Sequence, residues 1–228
     1  SSPKGEGDGQ VVDEAGETLA INSGFSGGTR GNHFEAKFDF GSASTTYQPG
    51  LQVSVSPDRG DGARMSYLRF EDQADGIHVY FDDYLLFGAN TSKDFRETQV
   101  AVVSRTAPHT VKLAMDFVNG PANDVVKVYV DNMGTPVFVG TSWEDYFRDD
   151  QPTIAPPTVD SLLIQARTGK GTAPATMGEG LLFDNMSLLS SVVSGSIEIK
   201  KYDCPIGTSV TRAANGVGGT VPAGCVLN

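Results

Sequence analysis

Two short stretches of this chain combine aromatic rings with carboxylates, which are the side chains that sugar recognition requires. An aromatic ring covers the apolar face of a pyranose, and nearby carboxylates accept hydrogen bonds from its hydroxyl groups. One stretch surrounds Trp143, the only tryptophan, and the other follows Tyr80. We interpret both as candidate carbohydrate-binding sites; the alternative for Trp143 is that it packs a short helix onto the domain together with Phe147, four residues on. The candidate residues are Trp143, Glu144, Asp145, Tyr146, Tyr80, Asp82, Asp83 and Tyr84.

A polar loop in the middle of the chain has the composition of a calcium site. Ca²⁺ binds about six to eight oxygen atoms from carboxylates, amides and backbone carbonyls, and loops supply them best. The alternative is that these side chains are only solvated, as acidic loops often are. We predict calcium as a cofactor at this loop. The predicted ligands are Asp116, Asn119, Asn123 and Asp124.

Catalysis on a polysaccharide calls for a pair of carboxylates. Glycoside hydrolysis uses two of them about 5–9.5 Å apart, and residues i and i+2 of a strand share one face. No predicted strand carries Glu-x-Asp or Glu-x-Glu, and Lys37 separates Glu35 from Asp39. The sequence therefore favours binding without catalysis. The alternatives are a structural subunit or spacer of a cell-surface stalk or filament, and a polysaccharide hydrolase or lyase.

Composition limits the partners of the chain. The 228 residues have a formal net charge of −11, which repels nucleic-acid phosphates and anionic lipid headgroups. The apolar runs are much shorter than the roughly 20 residues that span a bilayer. We therefore expect no nucleic-acid partner and no membrane insertion.

The elements that must position these residues are strands. Apolar and polar residues alternate along most of the chain, clearest in His33–Phe40, and this alternation predicts strands that each bury one face. The only predicted helix is Ser142–Arg148, which Thr141 and Glu144 would open with a capping box. The pattern predicts an all-β fold of two antiparallel sheets packed as a β-sandwich or jelly roll, with one short helix. Further predicted strands are Thr18–Asn22, Leu51–Val55, Met65–Glu71, Ile77–Phe81, Gln99–Ser104, Val111–Phe117, Val125–Asp131, Thr135–Val139, Val159–Ala166, Leu181–Leu188 and Ser196–Tyr202.

Three segments are predicted: a polar linker at residues 1–10, a β-sandwich at 11–192, and a partial second β module or docking tail at 193–228. Both cysteines, Cys204 and Cys225, lie in the last segment with 20 residues between them. We predict a disulfide that closes this segment, worth about 3 kcal/mol through loop-closure entropy. An oxidising, extracellular compartment follows. The alternative is two free thiols.

Two regions resemble known families. Val125–Met133 resembles the strand and turn of laminin G-like and legume-lectin-like domains, and Leu181–Leu188 resembles the closing strand of the same concanavalin A-like superfamily. Gly195–Tyr202 resembles the first strand of Cna protein B-type and prealbumin-like modules, where Lys200 or Lys201 would match a lysine that can form an isopeptide bond.

Together the resemblances imply an extracellular, lectin-like module of a modular bacterial surface protein. Its implied role is carbohydrate binding and adhesion without catalysis. The implied partners are carbohydrate or neighbouring modules of the surface protein.

Overall fold

The structure is a computed structural model of the chain. It describes residues 30–59, 63–86, 93–153, 155–166 and 180–193, together with the backbone of residues 202–203 and 226–227. The first five ranges hold strands β1 (His33–Ser42), β2 (Gln52–Asp58), β3 (Tyr67–Gln73), β4 (Gly76–Leu86), β5 (Lys93–Val103), β6 (His109–Asp116), β7 (Val125–Val130), β8 (Phe138–Gly140), β9 (Ser161–Ala166) and β10 (Leu181–Ser191), and helix α1 (Glu144–Asp149).

The ten strands form two sheets of five. Sheet one has the order β10-β1-β6-β7-β8, and sheet two has the order β5-β4-β3-β2-β9. Every neighbouring pair is antiparallel. The predicted all-β fold with two antiparallel sheets and one short helix is therefore confirmed.

Aromatic side chains join the facing surfaces of the two sheets. Phe38 and Phe40 of β1 lie with their ring centroids 6.1 and 4.6 Å from that of Phe70 on β3. Phe183 of β10 closes the same group, with its ring 6.1 Å from Phe70. Rings of this size bury the largest apolar area per residue, so this group anchors the core between the sheets.

The prediction that each strand buries one face holds for β1 but is wrong for β2, β3 and β4. Along β1 the residues Phe34, Ala36, Phe38 and Phe40 are buried and alternate with more exposed positions. In β2, β3 and β4 nearly every position is buried on both faces. Polar side chains cover the outer face of these three strands, and those of β3 bond to other strands of the sheet, as Arg69 does to Glu97.

The hairpin between β3 and β4 turns within two residues. Gln73 pairs with Gly76, which leaves Ala74 and Asp75 as the tip. Gly76 has φ of +154°, and a Cβ at this position would lie 2.6 Å from the carbonyl oxygen of Val103. Glycine is therefore required by both the backbone conformation and the close approach of β5.

Helix α1 forms where it was predicted, but the predicted capping box is wrong. The N-cap residue is Trp143, and its side chain makes no capping hydrogen bond. The Glu144 carboxylate instead accepts the backbone N–H groups of Asn123 and Asp124 at 2.6 and 2.9 Å. The Ser142 hydroxyl accepts the N–H of Glu144 at 3.0 Å. Glu144 therefore ties the helix to the β6–β7 loop.

The chain divides into two compact units, Ser1–Val193 and Ser194–Asn228. In the second unit, strands β11 (Tyr202–Asp203) and β12 (Val226–Leu227) pair antiparallel, with Asp203 opposite Val226. Cys204 and Cys225 lie outside the described residues. The disulfide between them therefore stays a prediction.

Other predictions also fall outside the described residues. These are the linker at 1–10, the strand Thr18–Asn22 and the segment Gly195–Lys201 that carries most of the Cna B-type resemblance. Among the described residues, no helix is long and apolar enough to cross a membrane.

Candidate functional site

The outer face of sheet two carries an unusual set of polar side chains. They alternate with the core residues Val55, Leu68, Phe70, Val79 and Phe81, so they point away from sheet one. We call this surface the polar face. It consists of Gln52, Ser54, Ser56, Arg69, Glu71, His78, Tyr80, Asp82, Glu97, Gln99 and Gln165.

The strand register arranges these residues in rows across the sheet. One row runs through Gln165, Ser54, Arg69, Tyr80 and Gln99, which are successive cross-strand partners from β9 to β5. Cross-strand partners have their Cβ atoms about 4.5–5.5 Å apart. The side chains of one row therefore touch, and together they span the width of the sheet.

Arg69 is the ionic centre of the polar face. Its Nε and Nη2 donate to the two carboxylate oxygens of Glu97 at 2.7 and 2.8 Å, and its Nη1 donates to Glu71 at 2.5 Å. The guanidinium also lies 4.1 Å over the ring of Tyr80. Burial by itself would lower the pKa of Arg69, but the hydrogen bonds to Glu97 and Glu71 outweigh it and raise the pKa. Arg69 is therefore permanently charged and is held by two carboxylates.

Beside Arg69 lies a row of neutral groups on β2 that have no hydrogen-bond partner. The hydroxyls of Ser54 and Ser56 and the Oε1 of Gln52 are buried, and none of these three atoms bonds to another residue in the described part of the chain. Gln52 uses its Nε2 to donate to Glu71 at 3.1 Å. A buried polar group without a partner costs about 1–3 kcal/mol. These three atoms therefore have hydrogen-bonding capacity that the described protein groups do not use.

Solvent reaches the polar face around this buried floor. The side chains of Glu71 and Glu97 retain 24% and 25% of their exposure. Tyr80 is half-buried and Gln99 is exposed. The face thus combines a buried polar floor with a partly open rim, which is the form of many ligand sites.

Helix α1 and the residue before it close one end of the polar face. The Trp143 ring lies 4.9 Å from Phe95 on β5 and 5.8 Å from Tyr67 on β3, in edge-on contact with both. Tyr146 packs on Phe95 and on Tyr84 at 5.0 and 5.7 Å. The helix therefore rests on an aromatic cluster at the end of β4 and β5.

Asp82 connects the aromatic cluster to the polar face. Its Oδ1 accepts the indole Nε1–H of Trp143 at 2.9 Å, although the two residues lie 61 positions apart in the sequence. Burial raises the pKa of Asp82 to about 7, against the hydrogen bond from Trp143 that lowers it, and the charge of Glu97 adds to the increase. Asp82 can therefore hold a proton near neutral pH, while Glu97, its cross-strand partner, is bonded to Arg69.

His78 is held at the hairpin end of the polar face. Its Nδ1 lies 2.9 Å from Gln99 Oε1, and its Nε2 lies 2.8 Å from Asp75 Oδ1. Burial lowers the pKa of His78, but the hydrogen bonds to Asp75 and Gln99 raise it further than burial lowers it. The imidazole is therefore fixed between two acceptors.

The two predicted sugar-binding stretches meet at this site. Tyr80, Asp82 and Tyr84 lie on the outer face of β4, while Asp83 faces the other way and pairs with Arg96 at 3.1 Å. Trp143 is 8% exposed and has the packing role that the sequence left as its alternative.

Glu144 and Asp145 of the first stretch are also buried. Glu144 bonds to the β6–β7 loop, and Asp145 pairs with Lys93 at 2.9 Å. Neither carboxylate makes a described contact with a residue of the polar face. The first stretch therefore contributes chiefly Trp143 and its hydrogen bond to Asp82.

Two of the predicted calcium ligands, Asp116 and Asp124, already bond to groups of the protein. Asp124 accepts the Val118 N–H at 2.8 Å with one oxygen and the Ser142 hydroxyl with the other. Asp116 lies 2.6 Å from His33 Nδ1, and Asn123 donates its amide to the Asn119 carbonyl at 3.0 Å. In the described part of the chain, no group of three His, Cys, Asp or Glu side chains could hold a metal ion. Calcium binding stays a prediction, and it would require Asp116 and Asp124 to exchange these partners.

No protein-family model and no curated protein matches this chain. Among solved structures, a sialidase is similar over 71% of this chain and 13% of its own length, with 12% identity and a TM-score of 0.43. An endo-β-1,4-glucuronan lyase from the fungus Trichoderma reesei is similar over 75% of this chain and 72% of its own, with 15% identity and a TM-score of 0.38. Domains LG4-5 of the mouse laminin α1 chain are similar over 87% and 50%, with 14% identity and a TM-score of 0.33. Likenesses of this strength carry no argument about what the chain binds.

The outer faces of the two sheets differ in composition, and this difference indicates the polar-face residues that were not predicted. The outer face of sheet one bears an ordinary charge ladder, with Glu35 3.3 Å from Lys112 and Lys112 4.4 Å from the Tyr129 ring. The outward positions of β2 are instead occupied by Gln52, Ser54 and Ser56, short neutral groups that a solvated strand does not need. This contrast between the two outer faces marks sheet two. The missed residues are Gln52, Ser54, Ser56, Arg69, Glu71, His78, Glu97, Gln99 and Gln165.

A separate concavity of about 500 Å³ lies between the end of β1, the β5–β6 loop and the start of β10. Its charged groups are paired within the protein. Asp39 accepts from Thr110 and Asn185 at 2.6 and 2.7 Å, and Arg105 donates to Asp72. We therefore assign no ligand to it.

Proposed function

We propose that the chain is an extracellular adhesion module that binds a carbohydrate on the polar face of sheet two, without catalysis. The proposal locates the module outside the cell, where the predicted Cys204–Cys225 disulfide would be stable. In a larger surface protein the module would attach the cell to a glycan. Calcium would be an accessory to the fold and not part of the polar face, because the predicted ligand loop lies at the β6–β7 turn.

One observation carries the proposal. Ser54, Ser56 and Gln52 present three buried oxygen atoms without partners in one strand, next to a charged and aromatic rim. A core strand would place apolar side chains at such positions, and a solvated strand would expose its polar ones. A sugar supplies several hydroxyl groups at spacings of a few ångströms, and each can donate and accept. A carbohydrate is therefore the class of ligand that satisfies these atoms most completely.

A glycan array with the folded module tests the proposal, in buffers with and without a chelator. We expect binding that the chelator leaves intact, because the polar face holds no predicted calcium ligand. Silence in both conditions, from a sample with a cooperative unfolding transition, contradicts the proposal.

The double variant Ser54→Ala/Ser56→Ala locates the site. It removes two unpartnered buried hydroxyls, so we expect the free energy of unfolding to stay level or rise by about 1–3 kcal/mol while glycan binding is lost. Ser187→Ala on β10 of sheet one is the matched control, and we expect it to bind like the wild type. Full binding by the double variant would show that the ligand lies elsewhere.

A second candidate function is the hydrolysis of a glycan at the same face. Asp82 and Glu97 are directly opposite each other on β4 and β5, and their environments separate their protonation states. Asp82 has a pKa raised to about 7 by burial, while Glu97 accepts two hydrogen bonds from Arg69. A protonated and an ionised carboxyl group side by side are the pair that glycoside hydrolysis uses.

Turnover measurements separate the two candidates. If the module is a hydrolase, incubation with the glycans that it binds should release reducing ends, and Asp82→Asn and Glu97→Gln should each abolish the release. If it only binds, no products form with any glycan. The proposed binding function predicts the second result.

A further inference from the structure

The charges of the polar face are paired among themselves. Nε, Nη1 and Nη2 of the Arg69 guanidinium each donate a hydrogen bond to Glu71 or Glu97, so its positive charge is already balanced by two carboxylates. Two carboxylates against one guanidinium leave this cluster with an excess negative charge. Arginine recognises carboxylates through paired N–H donors, and at Arg69 the Nε–Nη2 pair already binds the carboxylate of Glu97.

The other charged groups on and beside the polar face also leave an excess of negative charge. Arg64 donates to Gln165 Oε1 at 2.7 Å and lies 5.7 Å over the Trp143 ring. His78 is held by Asp75 at 2.8 Å. Acidic groups therefore outnumber the two arginines.

Three neutral groups on β2 have no hydrogen-bond partner among the described residues. They are the hydroxyls of Ser54 and Ser56 and the amide oxygen of Gln52. Sugar hydroxyls can bond to all three, whereas the carboxylate of a uronic acid would meet an acceptor at Gln52 and the negative field of Glu71 and Glu97. Like charges at a binding interface cost several kcal/mol and thereby set specificity.

We infer that the polar face accepts uncharged glycans and rejects polyuronates, because the charge of Arg69 at its centre is neutralised by Glu71 and Glu97 and the groups that Gln52, Ser54 and Ser56 offer are neutral. This inference rests on the proposed carbohydrate-binding function. The ligand class follows from electrostatics. Glu71 and Glu97 act as a filter that repels acidic sugars, and Ser54 and Ser56 contact neutral ones.

Matched pairs of oligosaccharides test the inference. β-1,4-linked mannohexaose and the β-1,4-linked hexamer of mannuronate differ only at C6, where a hydroxymethyl group replaces a carboxylate; cellohexaose and a β-1,4-glucuronate hexamer form a second pair. Isothermal titration calorimetry at low and at physiological salt gives the affinity for each. We expect the wild type to bind at least one neutral member, with an affinity that salt leaves nearly unchanged, and to bind its acidic counterpart at least about tenfold more weakly.

Glu97→Gln tests the filter itself. The amide preserves the size of the side chain and an acceptor for Arg69 but removes the charge, so we expect the ratio of acidic to neutral affinity to rise at least about tenfold. Glu71→Gln should also raise the ratio of acidic to neutral affinity, and it replaces Glu97→Gln as the test if that variant does not fold. Glu35→Gln on sheet one makes the same change in net charge away from the face, and we expect it to leave the ratio unchanged.

The outcomes separate this inference from the proposed function. Binding of neither member of any pair, together with a silent glycan array, contradicts the proposed function. Equal or tighter binding of the acidic members by the wild type contradicts the inference and leaves carbohydrate binding intact. An equal rise of the ratio in Glu97→Gln and Glu35→Gln also contradicts it, because net charge alone would then explain the change.

Discussion

Replacing Asp82 by asparagine should stabilise the protein at alkaline pH. The Asp82 carboxyl group is 2% exposed and accepts the indole N–H of Trp143. Burial penalises its ionised form, which raises its pKa from an ordinary value of 3.8 to about 7. Asparagine has nearly the same shape and keeps an oxygen for Trp143, but it cannot ionise. The substitution therefore removes the cost of a buried charge and little else.

The sign and size follow from the two pKa values. Between pH 3.8 and about 7, the folded protein retains a proton on Asp82 that the unfolded chain releases. The contribution of this group to stability is therefore fully present below pH 3.8 and is lost as the pH rises to 7. At 1.36 kcal/mol per pKa unit, the loss has an upper limit of about 4 kcal/mol. Asp82→Asn should match the wild type near pH 4 and exceed it at pH 8 by up to this amount.

Equilibrium urea unfolding at pH 4, 6 and 8 measures the effect. The fluorescence of Trp143, the only tryptophan, reports the transition at the site itself. Asp75→Asn is the control, because the hydrogen bond to His78 lowers the pKa of Asp75 and its replacement should give no gain at alkaline pH. A difference between Asp82→Asn and the wild type that stays constant from pH 4 to pH 8 would refute the reasoning.

Three further predictions concern the core, the second unit and the metal. Phe70→Ala should lower the free energy of unfolding by about 3–5 kcal/mol in urea, since the Phe70 ring contacts three other phenylalanine rings; a loss below about 1 kcal/mol would contradict its place in the core. Intact mass and peptide mapping without reductant should find Cys204 joined to Cys225, and alkylation of both thiols in the secreted protein would contradict the disulfide. If calcium binds near Asp124, adding a chelator should lower the melting temperature by mass action, and an unchanged transition rejects the metal.

The fold was largely readable from the sequence because each strand had to satisfy a simple rule. Phe34, Phe38 and Phe40 alternate with charged residues, and this rhythm sets both the strand and its buried face. The Ala74–Gly76 turn is equally local, since only a residue that tolerates a positive φ fits Gly76. The predicted capping box does not form because Glu144 makes a tertiary contact instead. Its carboxylate bonds to the β6–β7 loop and not to the end of its own helix.

The site was only partly readable because its geometry runs across strands. Paired carboxylates were expected only within a single strand. Asp82 and Glu97 lie on neighbouring strands and become opposite each other only through the register of β4 and β5, so this pair was not predicted. Likewise, Arg69 meets Glu97 from 28 positions away. Trp143 and Asp82 were both candidates, but nothing in the order of residues could show that they touch. Which of these residues meet depends on the register between strands, and composition does not encode that register.

The central claim is that the outer face of sheet two, and not a loop, holds a neutral sugar. Titrating the isotope-labelled wild type with the neutral hexasaccharide that binds best, followed by backbone amide NMR, tests it most directly. We predict that the largest shifts lie in β2, β3 and β4 around Ser54, Arg69 and Tyr80, with sheet one unchanged. Shifts confined to sheet one or to the β6–β7 loop, or no shifts with any neutral hexasaccharide, would contradict the account.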